Sequence, residues 1–168
     1  TVGKGMGNGF PISGVISSDD IVKAEPFARA SASSSSYGGN PLASTAALAT
    51  LETIVDDGLV EHAARVGARM LDRLRAMQEK YAFIGDVRGV GLMIGVDLVA
   101  DRESNELLDR AATERIFLDA LRNGLLMMGY FPRIRINPPL TITAEQADQG
   151  LDVLDQLLAR AARELPRR

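Results

Sequence analysis

The chain has 168 residues, 46% of them hydrophobic, enough to bury one sizeable core or one core and part of another. Its 19 basic and 22 acidic residues are interspersed at a net charge of −3, which argues against a nucleic-acid or anionic-membrane surface. Cysteine is absent, so there is no disulfide framework and no cysteine-based metal site. No apolar run approaches a membrane span and no signal-peptide layout is present, so a soluble, cytoplasmic protein without a metal centre is expected.

The first stretch reads TVGKGMGNGFPISGVI, and Lys4, one of only three lysines, stands among Gly3, Gly5, Gly7 and Gly9. Glycines open backbone conformations that other residues adopt at a cost, so a loop here is expected to pass close to something. The chain starts on Thr1 and enters this loop at once, as expected of a piece of something longer. Residues 2–9 read as a strand end running into a loop and residues 11–17 as a short apolar strand. Asp19 and Asp20 can cap a brief helix, and residues 30–40 form a loop rich in serine and glycine. Asn40-Pro41 is a helix start, a capping residue followed by proline at the first helical position, and a small-residue helix over 41–56 follows.

Gly58 interrupts that helix, and the spacing predicts a longer one to about residue 81 with Val60, Ala63, Met70, Leu74 and Met77 on one stripe. Residues 83–87 and 92–99 read as strands joined through a tight turn at Arg88-Gly89-Val90-Gly91. Leu108, Ala112, Ile116 and Ala120 mark a helix that Gly124 stops. Residues 125–131 and 133–136 are two more short strands. Thr143-Ala144-Glu145-Gln146 is a capping box opening a last helix with Leu151, Leu154, Leu158 and Ala161 inward. Arginine-rich helical stretches at 65–75 and 110–122 also carry acids and read as solvated faces. Residues 1–65 thus look like the tail of one domain and 82–168 like an α/β domain, bridged by the helix over 59–81.

Three stretches carry candidate chemistry. The glycine loop lacks the Ser or Thr that a phosphate loop needs after its lysine, and its spacing is wrong for a dinucleotide fingerprint. A lysine that attacks a carbonyl fits better, because it needs a flat group to approach and little bulk beside it; a plain exposed lysine is the alternative. Ser33-Ser34-Ser35-Ser36-Tyr37-Gly38-Gly39-Asn40 joins hydroxyls, a glycine pair and a helix start, a combination able to bind phosphate, or else is a mobile linker. Alternation in Arg133-Ile134-Arg135-Ile136 puts both arginines on one face of a strand that Pro138-Pro139 ends. An arginine so placed suits two-pronged carboxylate recognition or a surface ion pair. The sole histidine, His62, lies beside Glu61 on a charged helix face and reads as solvated.

Together, GKGMGNGFPISGV, SYGGNPLASTAALATLE, VRGVGLMIGVDL and RIRINPPLTIT occur in the order and spacing of the class III pyridoxal-phosphate aminotransferases of the ornithine, 4-aminobutyrate and alanine–glyoxylate type. The chain resembles the C-terminal part of that family from residue 1 to about 160. The resemblance implies an α/β chain of fold type I. Residues 1–65 match the C-terminal portion of the large pyridoxal-phosphate-binding domain, and 66–168 the linker helix and small C-terminal α/β domain. It makes Lys4 the lysine that forms the internal aldimine with pyridoxal 5′-phosphate, and Arg135 the residue that binds a substrate carboxylate. Ser36, usually Thr in the family, would contact the cofactor phosphate of the neighbouring subunit, with Tyr37 beside it. Arg88 and Gly91 match a motif whose role is structural. A homodimer with shared active sites, an amino donor and a 2-oxo acid acceptor are the implied partners, with no nucleic acid or membrane.

Two departures stand out. Ser33 occupies a position that carries His in many members. The family's ring-nitrogen aspartate, main phosphate loop and ring-stacking aromatic have no counterpart in this chain, so alone it is expected to be inactive. The same fold implies two alternatives, a lyase or aminomutase, and a third reading is a non-catalytic C-terminal fragment.

Overall fold

A computed structural model of the chain describes residues 1–32, 34–130 and 132–165, leaving Ser33, Phe131 and residues 166–168 outside the described residues. Contacts divide the chain into two units, Thr1–Gly58 and Leu59–Arg168.

In the first unit a 3-10 turn, Lys4–Gly7, is followed by a one-turn helix α1 (Asp19–Val22) and the longer α2 (Pro41–Asp56). Ser18, not Asp19 or Asp20, is the residue before α1; the two acids sit in its first turn, where they oppose the positive end of the helix. Asn40 caps α2 as expected, its Oδ1 accepting from the Ala43 N–H at 2.9 Å, and Pro41 takes the first helical position. The strand expected over 11–17 reduces to one antiparallel bridge between Val2 and Gly14. A strand exists only where a neighbour completes its ladder, and Val15 and Ile16 remain exposed.

The second unit opens with α3 (Leu59–Lys80), whose buried stripe runs through Leu59, Ala63, Val66, Met70, Leu74 and Met77. Val60, expected on that stripe, is 66% exposed, because steps of three and four residues back from Ala63 lead to Leu59 instead. Strands β1 (Ile84–Val90), β2 (Met93–Asp101), β3 (Glu106–Leu107), β4 (Met128–Tyr130) and β5 (Arg133–Ile136) pair antiparallel in the order β1-β2-β5-β4, with β3 pairing on β2. Between them lies α4 (Arg110–Arg122), capped by the Asp109 side chain, and α5 (Ala144–Glu164) follows.

Ile94, Val96 and Leu98 alternate inward from β2, meet Ile134 of β5, and are covered by α3, α4 and α5 through Leu74, Ile116, Leu151 and Leu158. The hairpin between β1 and β2 is tighter than expected. Arg88, Gly89 and Val90 belong to β1, Val90 pairs with Met93, and only Gly91 and Leu92 turn, Gly91 at φ 54°. Helix α3 crosses this turn so closely that a Cβ on Gly67 would overlap the Gly91 carbonyl oxygen. The strand expected from Leu125 starts only at Met128, since four-residue β5 offers partners to no more than Met128, Gly129 and Tyr130.

The arginines of α3 are not a simply solvated face. Arg69 and Arg73 reach Asp148 at 2.5 and 3.1 Å, Arg73 reaches Asp152 at 2.5 Å, and Lys80 reaches Asp155 at 2.9 Å. Tyr81 adds a hydrogen bond from its hydroxyl to Asp155 Oδ1 at 2.6 Å. Acids spaced four and three apart on α5 stitch it to α3. At the start of α5, Thr143 and Gln146 form the expected capping box. No helix among the described residues is long and apolar enough to cross a membrane.

Candidate active site

Lys4 stands at the first position of the 3-10 turn with φ 57°, a left-handed conformation uncommon for a residue with a Cβ. Asn8 closes the turn at φ 44°. The glycines divide the work. A Cβ on Gly5 would meet nothing within 4 Å, so the space beside Lys4 is open, whereas a Cβ on Gly7 would come within 2.7 Å of Ile12 Cγ2. The turn is therefore closed against the following segment on one side and clear on the other. Lys4 is exposed and makes no ion pair or hydrogen bond among the described residues. Lys4 is thus an exposed primary amine held in a left-handed backbone conformation, a geometry the sequence alone does not show.

Ser36 and Tyr37 open the turn that leads into α2. Both are exposed, Tyr37 at 85%, and the turn is held by the Asn40 side chain, whose Nδ2 donates to the Tyr37 carbonyl at 3.1 Å. Gly39, at φ 70°, lets the chain swing into the helix. Helix α2 packs against the Lys4 turn, so the sequence-distant lysine and serine loops share one scaffold. No hydrogen bond among the described residues joins Lys4, Ser36 and Tyr37 directly.

Arg135 lies in the second unit, on the face of β5 away from the helices. Its Nε donates to Asn137 Oδ1 at 2.6 Å, a contact that aims the guanidinium along the exit of the strand. It lines a cavity of about 520 Å³ whose other walls are mainly apolar, with Leu125, Met127, Ile136, Ile142 and Leu151 among them. A cation beside apolar walls suits a small acid with an apolar body.

On the same sheet sit two carboxylates that motif reading passed over, Asp86 and Asp97. Arg88 donates to Asp97 at 2.9 and 3.1 Å and to Asp86 at 2.6 Å, and Arg133 donates to Asp97 at 3.0 Å. Burial pushes the Asp97 carboxyl up, but the hydrogen bonds and charges of Arg88 and Arg133 outweigh it and hold the group below the usual carboxylate range. Hydrogen bonds donated to Asp97 and then to Asp86 raise Arg88 far above its ordinary value. The expected structural role of Arg88 fits this tie between β1 and β2. The signal for Asp97 was present in the two-residue alternation of β2, which puts it on the arginine face. Asn137 had no such signal, because it lies past the strand end.

His62 corrects the reading of a solvated side chain. It is half-buried, and its Nε2 lies 2.8 Å from the Ile142 carbonyl oxygen, tying α3 to the segment before α5. That partner is 80 residues away, out of reach of any local pattern.

A family model described as Aminotransferase class-III matches residues 1–158. A leucine/methionine racemase of Thermococcus litoralis is 43% identical over 95% of this chain and 35% of its own length. An alanine–glyoxylate aminotransferase 2 homologue of Arabidopsis thaliana is 39% identical over 95% of this chain and 33% of its own. Among solved structures, the pyridoxal-phosphate-bound amine transaminase of an uncultivated Pseudomonas species superposes with a TM-score of 0.78 at 37% identity, over 85% of this chain and 33% of that one. The chain spans about a third of the length of these curated relatives. Its fold is the mixed α/β fold of the type I pyridoxal-phosphate transaminases. With that family model matching nearly the whole chain, the chain belongs to the class III aminotransferase family.

Proposed function

We propose that this chain is the catalytic C-terminal portion of a cytoplasmic aminotransferase that moves an amino group from an amino acid or amine to a 2-oxo acid. The observation that carries the reading is Lys4, an exposed primary amine held at positive φ on a glycine turn, inside a family match covering residues 1–158. The donor set suits pyridoxal phosphate. Lys4 Nζ answers the aldehyde of one cofactor, the open space at Gly5 leaves room for its flat ring, and the Ser36 hydroxyl with Tyr37 beside it answers the phosphate of the cofactor in the partner subunit. In this reading residues 1–65 complete the large cofactor-binding domain and residues 66–168 are the linker helix and small domain.

When bound, pyridoxal phosphate supplies an electron-accepting ring that stabilises negative charge on the substrate α-carbon. Lys4 Nζ would be the group that holds the cofactor's aldehyde end. Not tied to the cofactor, Nζ would take the proton from the donor's α-carbon as general base and, in the second half-reaction, deliver one to the acceptor's α-carbon as general acid. Arg135 grips the substrate carboxylate with two parallel hydrogen bonds and so fixes which bond at the α-carbon faces the ring. Ser36 and Tyr37 serve the phosphate of the partner subunit, an exchange that only a two-fold homodimer makes reciprocal.

A second reading is favoured by the name of one relative, the leucine/methionine racemase. The same lysine could return the α-proton to the opposite face and leave the amino group in place. Product analysis separates the readings in a full-length enzyme carrying this sequence, loaded with pyridoxal phosphate and given L-methionine with or without 2-oxoglutarate. The proposal expects glutamate to form only when the acceptor is present. D-Methionine accumulating without acceptor would establish the racemase instead, ammonia release without acceptor a lyase, and no turnover under any condition a non-catalytic fragment.

A further inference from the structure

The cavity beside Arg135, about 520 Å³, is built wholly from the second unit. Its volume is that of a small-molecule site, far beyond the water-sized gaps of a packed interior. Met70 of α3 and Leu151 and Leu154 of α5 form part of its wall and belong to the buried core. Leu126 and Met128, also in the wall, are exposed, so the cavity joins that core to solvent. Among the described residues that line it, none is Asp, Glu, Lys or His, and Arg135 carries the charge.

A glycine on α5 gives a second, independent mark of a space that is kept open. Gly150 lies in the interior of that helix, where glycine is the poorest choice after proline. Gly67 of α3 shows what can require such a residue: the Gly91 carbonyl leaves no room for a Cβ. At Gly150 a Cβ would meet Leu125 Cδ1 at 3.7 Å, an ordinary contact, and the residue lies within a regular helix. Neither crowding nor conformation calls for glycine there. Gly150 does line the cavity, as does Ala147 one turn before it, so a larger side chain at either position would take up its space.

We propose that this cavity binds a small carboxylic acid with a branched apolar body. Leu125, Met127, Ile136 and Ile142 offer that body an apolar surface to leave water for. Arg135 offers the carboxylate a cation. A guanidinium has five N–H donors, so this service coexists with the bond from Nε to Asn137 and with further contacts. A positively charged body would meet Arg135 and no acid. The inference shares the proposed reading of Arg135 as a carboxylate binder and needs nothing from Lys4.

The six methionines report on the site without any activity, since Met70, Met127 and Met128 line the cavity while Met6, Met77 and Met93 do not. In the 168-residue chain labelled with ¹³C at the methionine methyls, titrated 4-methylpentanoate should shift the first three signals and leave the others in place. 4-Methylpentan-1-ol should bind about ten-fold more weakly, the weight of a hydrogen bond to a charged group, and 4-methylpentylamine more weakly still. Gly150→Leu, which fills the cavity, should weaken the acid by about ten-fold or more, and Lys4→Ala should change nothing. Gly150→Ala should raise the midpoint of thermal unfolding, and a lowered midpoint would mean that packing, not the cavity, requires the glycine. Shifts at all six methionines, or undiminished affinity in folded Gly150→Leu, would overturn the inference and leave the reading of Arg135 standing. Equal affinity for acid and alcohol would overturn both. Should Gly150→Leu not fold, the methionine pattern of the unmutated chain decides by itself.

Discussion

The two units of the chain differ in what they bury. The second, Leu59–Arg168, holds a continuous core from Ala63 through Leu158, with Leu74, Ile84, Ile94, Leu98, Leu151 and Leu158 almost fully enclosed. In the first, Thr1–Gly58, the buried hydrophobic side chains among the described residues are Ala43 and Ala47, while Val15, Ile16, Phe27, Leu48, Leu51 and Val55 are exposed. Yet the first unit carries Lys4, Ser36 and Tyr37. The contrast teaches that a motif can be complete in letters while the surface that would seat it comes from elsewhere. Exposed apolar side chains on this scale are the kind that a further domain or a partner covers, which accords with the proposed place of residues 1–65 in a larger cofactor domain.

The sharpest way to break the comparison is to separate the units. Residues 59–165 expressed alone should unfold in one cooperative thermal transition, and residues 1–58 alone should show none. A cooperative transition in the shorter piece would mean that it owns a core after all.

Glycine substitutions come next in size. Gly67→Ala sets a methyl against the Gly91 carbonyl, a backbone atom that cannot rotate away, so a loss at or above about 3 kcal/mol is expected in denaturant titration. Gly5→Ala faces open space and should change stability by less than about 0.5 kcal/mol. Similar losses for the two would show that the fit of α3 on the hairpin turn is not what Gly67 provides.

Helix caps give a smaller contrast. Thr143→Ala removes the hydroxyl of the capping box on α5 and should cost about 1 kcal/mol of the second unit's stability. Asn40→Ala removes an equally well-formed cap on α2, but should leave the main thermal transition unmoved, since α2 lies outside that core. A shift from Asn40→Ala as large as that from Thr143→Ala would tie the two units into one cooperative block.

Acid should act on the second unit alone. Asp148 is lowered first by its hydrogen bond from Arg69 and then by Arg73, against some burial. For Asp155, burial raises the carboxyl, but Tyr81 and Lys80 bring it below the ordinary value. Both groups bind fewer protons folded than unfolded, so their stabilisation is present above a pH of about 4 and fades as pH falls below it. Thermal melts of residues 59–165 should therefore drop between about pH 5 and 2, and Asp148→Asn should flatten that drop. An unchanged slope in the variant would remove the α3–α5 ion pairs from the account.

Much of the second unit was legible in the sequence because its elements obey local periods. The stripe of α3, the capping box of α5 and the alternation of β5 all follow from spacing of three, four or two residues. What could not be read locally was set by partners far along the chain. The hairpin turn is short because Val90 finds Met93; His62 is half-buried because the Ile142 carbonyl lies against it; and Arg69 and Arg73 stitch helices because Asp148 and Asp152 sit opposite. In the first unit the motif letters spoke before any geometry did. The strand expected at 11–17 finds only the Val2–Gly14 bridge among the described residues, and the positive φ of Lys4 is a property of the folded turn rather than of its composition.

The central claim is that Lys4 is the amine that holds pyridoxal phosphate. Borohydride reduction of the loaded full-length enzyme, followed by peptide mapping, tests it directly. Among the three lysines of this chain, the account predicts a pyridoxyl label on the peptide containing Lys4 and none on those containing Lys23 or Lys80. A label on Lys23 or Lys80 with Lys4 unmodified would contradict it.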